Sequence, residues 1–211
     1  MWAIVTDPTD PPVDADRPDS VVGVRGTDHI TIEGTSVADT VEFYRDILGM
    51  PLVLRQPNLD RSELTHLYFD TGDGRLLTAF VSEERESTDD LEPDRGDVHH
   101  VAYRIDHRRV TEIREGLRDA GYPVDEYDRG AFHALYTEDN NGLTVELVAD
   151  KFAIPDDRRG EVLARAHAHR VEDGAEFVAS KHMRAALDDL EIEAEERDIS
   201  PAAAAGRDYG G

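Results

Sequence analysis

Two stretches decide the fold: Asp28-His29-Ile30-Thr31-Ile32-Glu33-Gly34 (DHITIEG) and His99-His100-Val101-Ala102-Tyr103-Arg104-Ile105-Asp106 (HHVAYRID). Both alternate apolar and polar residues with the period of a half-buried strand. A helical pattern follows each. Ser36 is placed to cap the first helix, whose Val37, Val41, Tyr44 and Leu48 share one face with Phe43 and Ile47 beside it. Gly49 stops that helix and Pro51 prevents its continuation. Asp106 is placed to cap the second, which carries Val110, Ile113, Leu117 and Ala120 and ends at Gly121. Three strands are predicted after each helix: Leu52–Gln56, Leu64–Asp70 and Arg75–Val81, then Val124–Tyr127, Phe132–Tyr136 and Leu143–Val148. Thr71-Gly72-Asp73-Gly74 and Asp139-Asn140-Asn141-Gly142 read as hairpin turns.

The two halves can be laid on each other. Gly49-Met50-Pro51-Leu52 matches Gly121-Tyr122-Pro123-Val124, Leu67-Tyr68 matches Leu135-Tyr136, Gly74 matches Gly142, and His29 falls on His100. One short insertion or deletion accounts for the drift in offset. The expected fold class is therefore α+β: two tandem βαβββ modules forming a curved mixed sheet around a metal trough, with a C-terminal helical extension. The expected divisions are a proline- and aspartate-rich arm over 1–22, a first module over 23–82, an acidic link over 83–97, a second module over 98–154, and an extension over 155–211. The extension should form two helices broken near Gly174, with a frayed end.

Composition narrows the function. The 211 residues hold 47 acidic and 23 basic side chains, a formal charge of −24. Such a field repels phosphate backbones and anionic lipid heads, so neither nucleic acid nor a membrane surface is an expected partner. Dispersed carboxylates with two lysines, Lys151 and Lys181, look like the surface of a protein from a salt-loving organism. No apolar run approaches a membrane span, and the first residues turn acidic too early for a secretory signal, so a cytoplasmic location is expected. With no cysteine, any metal site must use His, Asp or Glu.

Strand parity selects those ligands. Ile30 and Ile32 should pack under the helix, which turns His29 to the opposite, open face of the sheet. The same rule picks His100, ahead of Val101 and Tyr103, and turns His99 the other way. Val145 and Leu147 face the core, so Glu146 joins the open face. Pairing the open faces in a trough brings two imidazoles and one carboxylate together, a ligand set with vacant coordination positions that suits Fe(II) and also admits Mn, Ni, Co or Zn. Thr78 occupies in the first module the place of Glu146 in the second, so a fourth, carboxylate ligand is lacking. His66, His99 and His107 read as strand or turn residues. His167, His169 and His182 fall on the C-terminal helices, which also offer a surface for a homodimer.

The stretches DHITIEG, DVHHVAYRID and LYTEDNNGLTVELVAD, within about residues 25–150, resemble the vicinal oxygen chelate superfamily of glyoxalase I, extradiol dioxygenases and antibiotic-resistance proteins. The resemblance implies that His29, His100 and Glu146 bind one divalent metal. It also implies a role for Tyr136, ten residues before Glu146, as an acid/base tyrosine of the extradiol pattern, although Asn140 replaces that pattern's proline and its upstream histidine is missing near Tyr127 to Arg129. The absent fourth ligand points away from glyoxalase I and toward ring-cleaving enzymes, above all the two-module form of the hydroquinone-type subgroup. The leading expectation is an Fe(II)-dependent extradiol-type dioxygenase acting on a small dihydroxylated aromatic. The alternatives are a glyoxalase- or isomerase-like metalloenzyme and a non-enzymatic small-molecule binder.

Overall fold

The computed structural model describes residues 13–85 and 94–199. The first module runs β1 (His29–Gly34), α1 (Val37–Val41) with a π-helical continuation (Glu42–Ile47), β2 (Leu52–Pro57), β3 (Thr65–Asp70) and β4 (Leu76–Val81). The second runs β5 (His100–Arg104), a short 3-10 turn, α2 (Val110–Asp119), β6 (Asp125–Asp128), β7 (Phe132–Glu138) and β8 (Thr144–Asp150), and α3 (Arg159–Glu172) and α4 (Ser180–Asp189) follow. The sheets have the orders β1-β4-β3-β2 and β5-β8-β7-β6. In each, the first strand lies parallel to the last and the other pairs are antiparallel. The α+β class, the tandem βαβββ units and the helical extension are thus as expected. Of the N-terminal arm, residues 13–22 are described, and they are exposed without helix or strand. The centre of the acidic link (86–93) and the C-terminal tail (200–211) lie outside the described residues.

Register shows the repeat at the level of single residues. Thr31 stands opposite Thr78 as Ala102 stands opposite Glu146, and Tyr68 faces Thr78 as Tyr136 faces Glu146. His29 and His100 each precede these positions by two residues, so both share a sheet face with them. The other face of each sheet carries Leu67, Phe69, Leu77, Ala79 and Val81, or Leu135, Val145, Leu147 and Ala149, all in one buried cluster with Phe43 and Tyr44 of the first helix and Val110 and Leu117 of α2. Burying a large apolar side chain contributes roughly 1.5–3 kcal/mol, so this shared cluster fastens the modules to each other as well as each helix to its sheet.

The first helix departs from expectation in one respect. Ser36 caps it, its Oγ accepting from the Asp39 N–H, but from Glu42 the turns widen and Leu48 N–H donates to Phe43 O. Phe43 and Tyr44, neighbours in sequence, are both fully buried. A wider turn lets the helix present two adjacent rings to one core.

The second hairpin turn acts as a clasp between the modules. Asp139 Oδ1 accepts from the N–H groups of Asn141 and Leu143, and its Oδ2 accepts from the Tyr44 hydroxyl at 2.8 Å. Asn141 Oδ1 in turn accepts from the N–H and hydroxyl of Thr35. Behind the second sheet, Glu126 is enclosed between Arg114 of α2 at 3.1 Å and His133 Nε2 at 2.7 Å. The extension has its own core of Phe152, Val162, Ala166, Met183, Ala186 and Leu187, where α3 and α4 turn their apolar faces toward each other.

Candidate metal centre

On the second module's open face, β8 presents Glu146 from the middle of the sheet, flanked by β5 and β7. Its side chain is 6% exposed, and each carboxylate oxygen has a neighbour. The Tyr136 hydroxyl donates to Oε1 at 2.7 Å, and His100 Nε2 stands 3.1 Å from Oε2. A buried carboxylate facing one imidazole nitrogen is a suitable pair of donors for a divalent cation. The other nitrogen of His100, Nδ1, lies 2.9 Å from Nδ1 of His99, so His99 buttresses the ring.

Tyr136 is held from both sides. Arg129 Nη2 donates to its hydroxyl at 3.4 Å, and the Arg129 guanidinium stacks over the rings of Tyr127 and Tyr136 at 4.7 and 5.4 Å from their centroids. Burial raises the phenol's pKa, the hydrogen bond to Glu146 raises it further, and Arg129 opposes both. The net shift is upward, so Tyr136 is a neutral O–H donor at neutral pH.

The first module's open face carries different chemistry at the equivalent positions. Thr78 is buried and shares a 2.7 Å hydrogen bond with Thr31, so no carboxylate faces β1 there. His29 is half exposed, with its Nδ1 2.7 Å from the Asp28 carboxylate. Beside it, His66 Nδ1 lies 2.9 Å from the Tyr68 hydroxyl, while His66 Nε2 is buried without a hydrogen-bond partner. Burial, then the nearby His29, lowers the pKa of His66.

The structure therefore brings His100, Glu146 and Tyr136 together. His29 starts the equivalent strand of the other sheet, and among the described residues no three His or carboxylate side chains are grouped to hold a metal ion. The donor types fit a metal, but within one chain two of them meet and the third stands apart. The remaining histidines serve local structure: His133 lies behind the sheet on Glu126, His107 beside Asp106, His167 beside Arg170, His169 on Asp189, and His182 on Asp173. Sequence reading overlooked Arg129 and passed over His66. The parity that chose His29 would also have placed His66 and Tyr68 on the open face, since Leu67 and Phe69 are core. Tyr127 and Arg129 follow the same alternation in β6 and just beyond it.

Comparison with known proteins matches this fold. The profile of the Glyoxalase/Bleomycin resistance protein/Dioxygenase superfamily matches residues 26–147, more than half of the chain. A Bacillus subtilis (strain 168) protein named as a candidate ring-cleaving dioxygenase, MhqA, is 28% identical over 134 residues, which are 60% of this chain and 40% of that protein. The chain thus spans well under two thirds of that relative's length. A crystal structure of a candidate dioxygenase from Bacillus subtilis superposes with a TM-score of 0.51 at 25% identity, covering 58% of this chain and 40% of the other. A glyoxalase/dioxygenase from Nostoc punctiforme gives a TM-score of 0.52 at 17% identity over 65% of this chain and 99% of the other, a likeness of fold alone. The repeat, its register and the matched profile agree: the chain belongs to the Glyoxalase/Bleomycin resistance protein/Dioxygenase superfamily.

Proposed function

We propose that the chain is a metal-dependent, extradiol-type ring-cleaving dioxygenase for a small dihydroxylated aromatic, with Fe(II) bound by His29, His100 and Glu146 and with Tyr136 handling protons. The observation that carries this reading is the run His100–Glu146–Tyr136, in which one buried carboxylate is shared by an imidazole at 3.1 Å and a phenol at 2.7 Å. The similarity to MhqA supports the same chemistry. A bound Fe(II) would supply a template with open positions for two vicinal or ring hydroxyls and for O2.

The chain's own residues have separable tasks in this reading. Glu146 and His100 bind from one face, and His99 fixes the His100 ring. Tyr136, a neutral phenol, gives its Oη proton to a developing oxyanion on the substrate, and the phenolate so formed takes a proton back from a product hydroxyl or solvent. Arg129, stacked on Tyr127 and Tyr136, places a positive charge where a phenolate would sit. Anaerobic reconstitution with Fe(II), followed by oxygen-uptake assays on catechol and hydroquinone, tests the reading. Uptake dependent on Fe(II) and on His100 supports it, and no uptake with any dihydroxylated aromatic overturns it.

The glyoxalase- or isomerase-like alternative, with Ni, Zn or Co, has less support because Thr78 provides no carboxylate where a fourth ligand would stand. Hemithioacetal turnover without oxygen would install it in place of the first. Ligand binding without turnover and indifferent to a chelator would instead mark a small-molecule binder.

A further inference from the structure

None of the residues assigned above to metal or proton chemistry lies in the helical extension, yet a loop of the extension reaches the wall of the site. Arg129 and Gly130 sit in the turn between β6 and β7. From that turn the Arg129 guanidinium lies over the rings of Tyr127 and Tyr136 and donates to the Tyr136 hydroxyl at 3.4 Å. The next residue, Gly130, touches the loop between α3 and α4. A Cβ on Gly130 would overlap the Val178 carbonyl oxygen and come within 3.1 Å of Ala179 Cα, so the two backbones are in contact. The Gly130 carbonyl accepts from Ser180 Oγ at 3.0 Å.

Both sides of this contact are braced. In the turn, the Gly130 N–H donates to Asp128 Oδ1 at 2.8 Å, and the Ala131 N–H donates to the Arg129 carbonyl at 2.9 Å. Lys151 Nζ holds the Asp128 carboxylate at 2.9 Å. In the loop, Arg170 Nη1 donates to the carbonyls of Ala175 and Glu176 at 2.9 and 3.3 Å. The Ala179 N–H donates to Nδ1 of the buried His182, whose Nε2 lies 3.0 Å from the Asp173 carboxylate. Ala131 from the turn and Val178 from the loop pack on the same apolar core of the extension. An arginine gives up rotamer freedom to lie on two rings, and a backbone that wanders makes that loss larger.

We infer that the α3–α4 loop is a positioning element of the catalytic face: by gripping Gly130 through Val178 and Ser180, it holds Arg129 against Tyr136. The inference rests on the proposed role of Tyr136. The path is short and contiguous, from Ser180 to Gly130, from its neighbour Arg129 to Tyr136, and from Tyr136 to Glu146 at 2.7 Å. Val178 and Ser180 act only through Arg129. A displacement of about 1 Å at a distance from the chemistry can cost on the order of 10²-fold in rate, so the grip on the turn reaches the reaction without touching the substrate.

The test uses the full chain. The Arg129 Nε–Hε resonance, assigned by its loss in Arg129→Met, is followed by NMR in metal-free protein. Ser180→Ala removes the hydroxyl that holds Gly130, Arg170→Met frees the start of the loop, and Ser180→Thr keeps the hydroxyl. The expected result is that the first two variants move the resonance toward that of a solvated arginine and that threonine restores it. With Fe(II) loaded, the first two should lower kcat on a dihydroxylated aromatic by about 2–10-fold at unchanged metal stoichiometry. Neither should lower it further in the Arg129→Met background. A resonance unmoved in both variants overturns the inference. So does an equal loss of kcat with and without Arg129, which marks a general structural effect, or an unchanged kcat beside a moved resonance. If wild type turns over no dihydroxylated aromatic, the proposed function fails, and the resonance alone decides whether the loop positions Arg129.

Discussion

The Tyr136 hydroxyl donates to Glu146 Oε1 across 2.7 Å, from the residue directly opposite in the β7–β8 ladder. The ladder itself sets this distance, so the pair is built into the sheet and does not depend on a loop. Removing the phenol oxygen should spare the metal and harm the chemistry. Tyr136→Phe is expected to lower kcat on a dihydroxylated aromatic by about 10²–10⁴-fold, the usual scale of a general acid/base. Metal stoichiometry should stay at the wild-type value. Steady-state oxygen uptake and metal analysis on the same preparation check both halves; an unchanged kcat would remove Tyr136 from the mechanism.

Glu126 is a buried charge with a purely architectural setting. Its side chain is fully enclosed, with Arg114 and His133 against it on the helix side of the second sheet. Neutralising it leaves the buried Arg114 guanidinium with the exposed Glu115 carboxylate, 3.8 Å away, as its remaining ion-pair partner among the described residues. Glu126→Gln should cost on the order of 3–5 kcal/mol, read as a lower urea midpoint, with metal stoichiometry unaltered. A midpoint shift below experimental error would show that water or a neighbour compensates Arg114.

Gly130 has a backbone φ of +75°, and a Cβ there would overlap the Val178 carbonyl oxygen just ahead of α4. The Gly130 carbonyl also accepts from Ser180 Oγ at 3.0 Å. Gly130→Ala combines a left-handed backbone with a steric conflict, so a loss of more than about 1 kcal/mol is expected. It should be accompanied by faster hydrogen exchange in α4. Unchanged exchange there would mean that the extension docks independently of this contact.

His66 provides a pH signature. Burial, then its neighbour His29, holds its pKa below the ordinary 6.5. The unfolded chain therefore takes up this proton more readily than the folded one. The stability that neutral His66 contributes is present above 6.5 and is lost as pH falls through that value toward the lower folded one. Metal-free wild type should accordingly lose more stability on acidification across this window than His66→Asn does. Parallel curves for the two proteins would exclude the effect.

Strand parity and the internal repeat were enough to predict the α+β class, the eight strands, and the open-face positions of His29 and Thr78 on one sheet and of His100 and Glu146 on the other. Those are local facts: alternation fixes which way a side chain points, and Gly49, Gly121 and the hairpin turns fix where elements end. The same alternation held for His66 and Arg129, whose position was legible while their neighbours were not. The clasp at Asp139 could not be read, because a turn residue gives no sign that Tyr44, far away in the chain, will seek its second oxygen. The widened helical turn was also hidden, since it arises from burying Phe43 and Tyr44 in one core. Most of all, sequence alone placed the candidate ligands on the open faces, while the tertiary structure decided which of them meet. Side-chain direction follows from a period of two, and the parallel pairing of β5 with β8 joins His100 to Glu146 within one sheet; where His29 of the other sheet lies depends on which apolar faces share a core, and that packing leaves it on an edge of its own.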